Sequence, residues 1–133
     1  MPKLENEAHV KREVKKILDK YNHFWFMPPA NGYGRSGIAD IISVHRAIFF
    51  AIETKFGKNK PTPMQIGFLA SVRAEGGYAF VVTEERLEWL DAFLGAFERA
   101  VEASTRKEMP APEDGAMMVN AIRELTTELP PMV

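Results

Sequence analysis

The sequence predicts an α/β domain: a mixed sheet flanked by helices. Three observations predict it. Helical and strand patterns alternate in the order α-β-β-β-α-β between residues 5 and 82. Residues 37–55 are mostly apolar and β-branched or aromatic, which reads as two strands and a tight connection. A helix then separates the second of these strands from another at Tyr78–Val82. A strand–helix–strand crossover pairs its strands in parallel, with right-handed sense. The strand carrying Glu53 is therefore expected at the centre, between the Asp40 strand and the Tyr78 strand.

The chain has 133 residues, enough for one domain with a real core. One domain over residues 1–108 is expected, followed by a linker and C-terminal helix over residues 109–133 that packs on the domain or on a partner chain. The first helix spans Glu5 to Lys20, with Ala8, Val10, Val14, Ile17, Leu18 and Tyr21 on its apolar side. Phe24–Met27 is a short aromatic strand ended by Pro28-Pro29. Next comes a loop with three glycines, Asn31-Gly32-Tyr33-Gly34-Arg35-Ser36-Gly37. It is no Walker A loop, because Ile38 and Ala39 stand where Lys and Ser/Thr would hold phosphates and magnesium. It can instead let a nucleic-acid backbone approach, with Arg35 and Tyr33 as contacts, or it can be a plain turn.

After the strand pair, Phe56–Lys60 is a basic loop. Thr62 then caps a helix with Pro63 in its first turn and Gln65 completing a capping box. This helix is expected to bury Ile66, Leu69, Ala70 and Val72 and to end near Gly76-Gly77. Thr83 is expected to cap a long helix over residues 84–104, with Leu87, Leu90, Phe93, Leu94, Phe97 and Val101 inward and Trp89 widening the face. Residues 109–115 read as a linker and residues 116–129 as a last amphipathic segment rich in methionine.

Composition narrows the function. Cysteine is absent, which excludes disulfides and thiolate metal sites and suits a reducing cytoplasm. No apolar run could span a bilayer, and the N-terminus does not read as a signal peptide. Net charge is −1, but its distribution is uneven. Residues 31–60 carry Arg35, Arg46, Lys55, Lys58 and Lys60 against Asp40 and Glu53. If those carboxylates hold a cation, the middle of the chain is a phosphate-binding surface; the plainer reading is solvated lysines. His9, His23 and His45 show no ligand spacing and read as ordinary residues. No nucleophilic serine motif is present.

The chemistry concentrates in the strand pair. If the chain turns around His45–Ala47, antiparallel partners have numbers summing to about 93, so Asp40 faces Glu53 to within about one residue. Glu53 and Lys55 are two apart and share a face. Two close carboxylates raise each other's pKa, and a divalent cation between them removes the conflict. Magnesium suits oxygen ligands, with Mn²⁺ as its substitute. Lys55 can orient a water or offset charge growing on a phosphate.

An aspartate, a gap and then Glu-x-Lys resembles the signature of the PD-(D/E)XK nucleases. The fuller pattern is Gly37-Ile38-Ala39-Asp40, then Phe49 through Lys55, then Pro61-Thr62-Pro63-Met64-Gln65. It is similar to the VRR-NUC branch, especially its small stand-alone, phage-type members, over residues 5–82. Ala39 departs from the proline usual before that aspartate. The resemblance implies a restriction-endonuclease-like core and a metal-dependent DNA endonuclease that leaves 5′-phosphate and 3′-hydroxyl ends. It implies Asp40, Glu53 and Lys55 as catalytic residues, joined by Glu7 and Gln65. Asp40 and Glu53 would be the metal ligands, with the Thr54 carbonyl and Glu7. Arg35, Tyr33, Lys58 and Lys60 would be DNA contacts. Glu7 also reads as a helix-start carboxylate, with Glu5 its rival, and Gln65 as a capping residue. The resemblance further implies a homodimer that prefers branched DNA such as four-way junctions. Its interface would draw on Phe24-Trp25-Phe26, the Trp89 helix and the C-terminal segment, unless these faces close the chain's own core. Two alternatives stand beside it: a catalytically silent DNA-binding module on the same scaffold, and a non-nucleic-acid protein with an Asp40–Lys55 structural ion pair.

Overall fold

The computed structural model describes residues 5–29 and 36–105. Four strands form one mixed sheet in the order β1 (Phe24–Phe26), β2 (Ile41–His45), β3 (Ile48–Thr54), β4 (Tyr78–Val82). β1–β2 and β2–β3 are antiparallel, and β3–β4 are parallel. The expected α/β architecture is thus present, with β3 between β2 and β4. The β2–β3 partners run from Ile41↔Ile52 to His45↔Ile48, so every pair sums to the expected 93. The turn itself is Arg46-Ala47, and both residues have positive φ, 54° and 66°.

The helices are α1 (Glu7–Lys20), α2 (Pro63–Ala74) and α3 (Leu87–Thr105). α1 starts two residues later than expected because Asn6 caps it, its side chain accepting from His9 N. Val10, Val14 and Leu18 recur at helical spacing and are fully buried, while Ala8 is exposed. α3 buries its expected stripe, but it begins after a 3-10 turn at Glu84–Arg86. Thr83 makes no side-chain cap; instead its carbonyl accepts from Arg86 N in the tighter i→i+3 pattern.

Strand alternation divides the core. One face of the sheet presents Ile41, Ile48, Phe50, Ile52, Tyr78, Phe80 and Val82 to α1 and α3. Phe50, Tyr78, Phe80, Phe93 and Phe97 pack together there with centroids 5.1–6.3 Å apart; the α3 rings meet the strand rings edge to face, while Tyr78 stacks on Phe50 and Phe80. Trp89 packs against this core as well, so the α3 face expected for a dimer is largely committed to the chain's own interior. The opposite face presents three alanines, Ala39, Ala51 and Ala79, beside Ile42 to α2. Only Leu69 of α2 is buried; Ile66 and Ala70 are exposed, contrary to expectation, because one helix on a narrow alanine seat covers little width. No helix among the described residues is long and apolar enough to cross a membrane. Tyr33, Arg35 and the 109–133 segment lie outside the described residues.

Candidate metal centre

The site forms where β2 begins, β3 ends and two helix N-termini converge. Asp40 sits one residue before β2, on a bend rather than in the strand. Continuing the ladder past Ile41↔Ile52 places it opposite Glu53. Its Oδ2 accepts from both Thr54 N and Thr54 Oγ1, each at 2.9 Å. Beside the carbonyl the sequence points to, Thr54 thus uses its amide and hydroxyl to fix one oxygen of Asp40. Lys11 Nζ lies 3.7 Å from the other, Oδ1.

Glu53 is the unusual residue. It is 1 % exposed, in the middle of the sheet, yet ionisable. Burial first, and the nearby Asp40 charge second, push its pKa up to about 8, with Lys55 opposing. Oε1 accepts from Gln65 Nε2 at 2.9 Å, and Lys55 Nζ stands 3.7 Å from the same oxygen. Oε2 is buried with no hydrogen-bond partner among the described residues. Such an orphan costs roughly 1–3 kcal/mol unless something else occupies it.

Glu7 completes the cluster from the first turn of α1. One carboxylate oxygen from each of Glu7, Asp40 and Glu53 lies within 4.8 Å of the others. Glu7 rather than Glu5 is therefore the residue that α1 delivers. Lys11, one turn further along the same face, was missed in the sequence; its i,i+4 spacing from Glu7 was the available signal.

Gln65 serves two purposes that the sequence set against each other. Its Oε1 accepts from Thr62 N at 2.8 Å while Gln65 N donates to Thr62 Oγ1, the expected capping box. Its Nε2 still reaches Glu53. A primary amide has separate donor and acceptor ends, so capping and site contact are compatible. The approach depends on Gly37. Its φ is +78°, and a Cβ there would fall 2.8 Å from the Met64 backbone. The close approach served by this glycine is that of α2 itself.

Lys58 and Lys60 are exposed on the β3–α2 loop, just beyond Lys55. Glu84 anchors that loop by accepting from Gly57 N at 3.0 and 3.1 Å. The sequence also missed a second group at the other end of β2, where His23, His45 and Glu98 come together. No protein-family model matches the chain, and no curated protein matches it at the significance required.

Proposed function

We propose that the protein is a magnesium-dependent endodeoxyribonuclease, of the VRR-NUC type within the PD-(D/E)XK nucleases. The observation that carries this reading is the buried, unpartnered Glu53 Oε2 beside Asp40, Glu7 and Lys55. An ion-pair explanation fits less well. Both lysine contacts are loose at 3.7 Å, and Lys55 pairs with Glu53 while Asp40 meets Lys11. An all-oxygen set suits Mg²⁺, or Mn²⁺ in its place, and a cation would let Glu53 ionise below its raised pKa.

Asp40, Glu53 and Glu7 would hold the ion. Bound there, it supplies Lewis-acid polarisation of a phosphodiester and a more acidic water. The chain's residues do the rest. Gln65 pins one oxygen of Glu53 so that the other is presented in a fixed direction. Thr54 does the same for Asp40. Lys55 donates to a phosphate oxygen or to the attacking water, stabilising charge that grows in the transition state. Lys58 and Lys60 hold the DNA backbone beyond the cut, with Arg35 and Tyr33 from the preceding loop.

Phe24, Phe26, Val44 and Phe49 are exposed large apolar residues, three of them in a row from the short edge strand β1 across β2 to β3. They support a homodimer, whose two-fold symmetry would suit paired cuts in a four-way junction. The lack of cysteine fits work in the cytoplasm. The deciding experiment is a cleavage panel of linear, flap, fork and four-way DNA, with Mg²⁺ or EDTA, run beside light scattering. Junction cutting by a dimer, dependent on metal and lost in Glu53→Gln, is expected. Cleavage that survives EDTA or Glu53→Gln would sink the reading.

A further inference from the structure

Lys11 borders the carboxylate cluster from α1, one turn beyond Glu7 on the same side of the helix. Thr54 N and Thr54 Oγ1 both donate to Asp40 Oδ2, so Oδ1 is the oxygen that Asp40 keeps for a cation. Lys11 Nζ stands 3.7 Å from that atom. The approach is long beside the roughly 2.8 Å of a close ammonium–carboxylate hydrogen bond. With side chains 26 % and 22 % exposed, Lys11 and Asp40 stay open to solvent. Lys55 differs. It is 14 % exposed and meets Glu53 Oε1, an oxygen already held by Gln65. A loose, open pair such as Lys11–Asp40 contributes little to stability.

On the basis of the nuclease reading, we propose that Lys11 is a displaceable cation: it competes with the divalent ion for Asp40 Oδ1 and, once released, takes a phosphate oxygen of the DNA. A doubly charged ion on Oδ1 repels an ammonium a few ångströms away, and more strongly in a partly buried site than in water. The lysine stem is flexible and its head well hydrated, so the ammonium can move while α1 stays in place. The carboxylates grouped beside it, Glu7, Asp40 and Glu53, would all be ion ligands. Glu13, the next carboxylate along α1, pairs with Lys16. The anion left for the released ammonium is the substrate backbone. The result is coupling. Ion binding frees Lys11 for DNA, and DNA that holds Lys11 removes the ion's competitor. Each ligand then raises the affinity of the other by the same factor.

The test is isothermal titration calorimetry with Ca²⁺, which takes the same oxygen ligands as Mg²⁺, with and without a four-way DNA junction. Wild type, Lys11→Met, Lys15→Met and Glu53→Gln are compared, each checked for folding by circular dichroism. Lys15, a turn further along α1 and 5.7 Å from the Trp25 ring centroid, is the control for loss of one positive charge. Without DNA, Lys11→Met should bind Ca²⁺ about 5- to 10-fold more tightly than wild type, because the competitor is gone. Lys15→Met should change the affinity by less than about 2-fold, through screened charge alone. The tightening of Ca²⁺ binding that DNA causes should be smaller in Lys11→Met than in wild type by about the 5- to 10-fold already gained. A lysine that merely braced Asp40 would give the opposite sign, since its loss would loosen the centre. Unchanged or weaker Ca²⁺ binding by folded Lys11→Met overturns the proposal and leaves the metal centre standing. Equal tightening in Lys15→Met overturns it too, as an effect of net charge. If wild type and Glu53→Gln bind Ca²⁺ alike, the centre itself is misassigned and the proposal falls with it.

Discussion

The two ends of the β2–β3 hairpin hold buried ionisable clusters of opposite character. At the Asp40 end, the carboxylates of Glu7, Asp40 and Glu53 crowd together and a helix N-terminus supplies an amide through Gln65. At the His45 end, two imidazoles stack and α3 supplies a carboxylate. Burial acts in the same way on both: it favours the uncharged form. It therefore raises the Glu53 carboxyl and lowers the His23 imidazole. An acid that resists losing its proton, Glu53, thus sits at one end of the hairpin, and a base that resists gaining one, His23 from just before β1, lies against the other.

The largest effects are expected at the oxygen end. Asp40→Asn, Glu53→Gln and Lys55→Ala should each lower Mg²⁺-dependent DNA cleavage by on the order of 10³-fold while the protein stays folded, read by single-turnover rates beside circular dichroism. Full activity in any of the three would end the assignment of that residue.

The comparison also sets a pH profile. Glu53 binds its proton more tightly when folded, so its stabilisation is complete below its ordinary 4.5 and is lost as pH rises to about 8. His23 binds its proton less tightly when folded, so its stabilisation is complete above its ordinary 6.5 and is lost as pH falls toward about 3. Each slope is about 1.4 kcal/mol per pH unit. Between 4.5 and 6.5 they oppose and offset each other, which places the stability maximum in that window when EDTA is present. Urea titrations across pH should show both limbs. Glu53→Gln should flatten only the alkaline limb; a profile unchanged by that substitution would contradict the raised pKa.

Smaller effects sharpen how α2 serves the site. Gly37→Ala should cost about 2 kcal/mol, because the new Cβ meets the Met64 backbone and the residue holds positive φ. Activity should fall with it, since Met64 adjoins Gln65. Thr62→Ala and Gln65→Ala should each cost about 1 kcal/mol through the lost capping box. Only Gln65→Ala should also raise the Glu53 pKa further, visible as a steeper loss of stability between pH 7 and 8.5. If both variants shift the profile alike, the Gln65–Glu53 contact carries no weight.

Much of the oxygen end was legible in the sequence. The hairpin register followed from one turn and a period of two, which put Asp40 opposite Glu53. The crossover helix fixed the parallel partner, and Thr62–Gln65 announced its own cap. Lys11 was hidden because its partner Asp40 lies on another element. The His cluster was hidden for a stronger reason. His23, His45 and Glu98 stand 22 and 53 positions apart, so only the sheet pairing and the docking of α3 bring them together. The α2 face was misjudged because apolar periodicity says nothing about the width of the surface beneath. Ile66 stays outside an alanine-rich seat on which Leu69 is buried and Phe68 and Val72 pack in part.

The Arg46-Ala47 turn has a kinetic consequence. Hairpin turns of this kind favour Asn-Gly, whose residues accept positive φ readily, and an alanine at +66° does not. The β2–β3 contacts are the most local in the sheet, so their closure precedes the docking of β4 and α3 at little entropic cost. A reluctant turn therefore slows the step on which both clusters depend. Ala47→Gly should stabilise the protein by about 0.5–1 kcal/mol, with most of the gain in a faster folding limb of the chevron plot. A gain confined to slower unfolding would mean that the hairpin closes after the rate-limiting barrier.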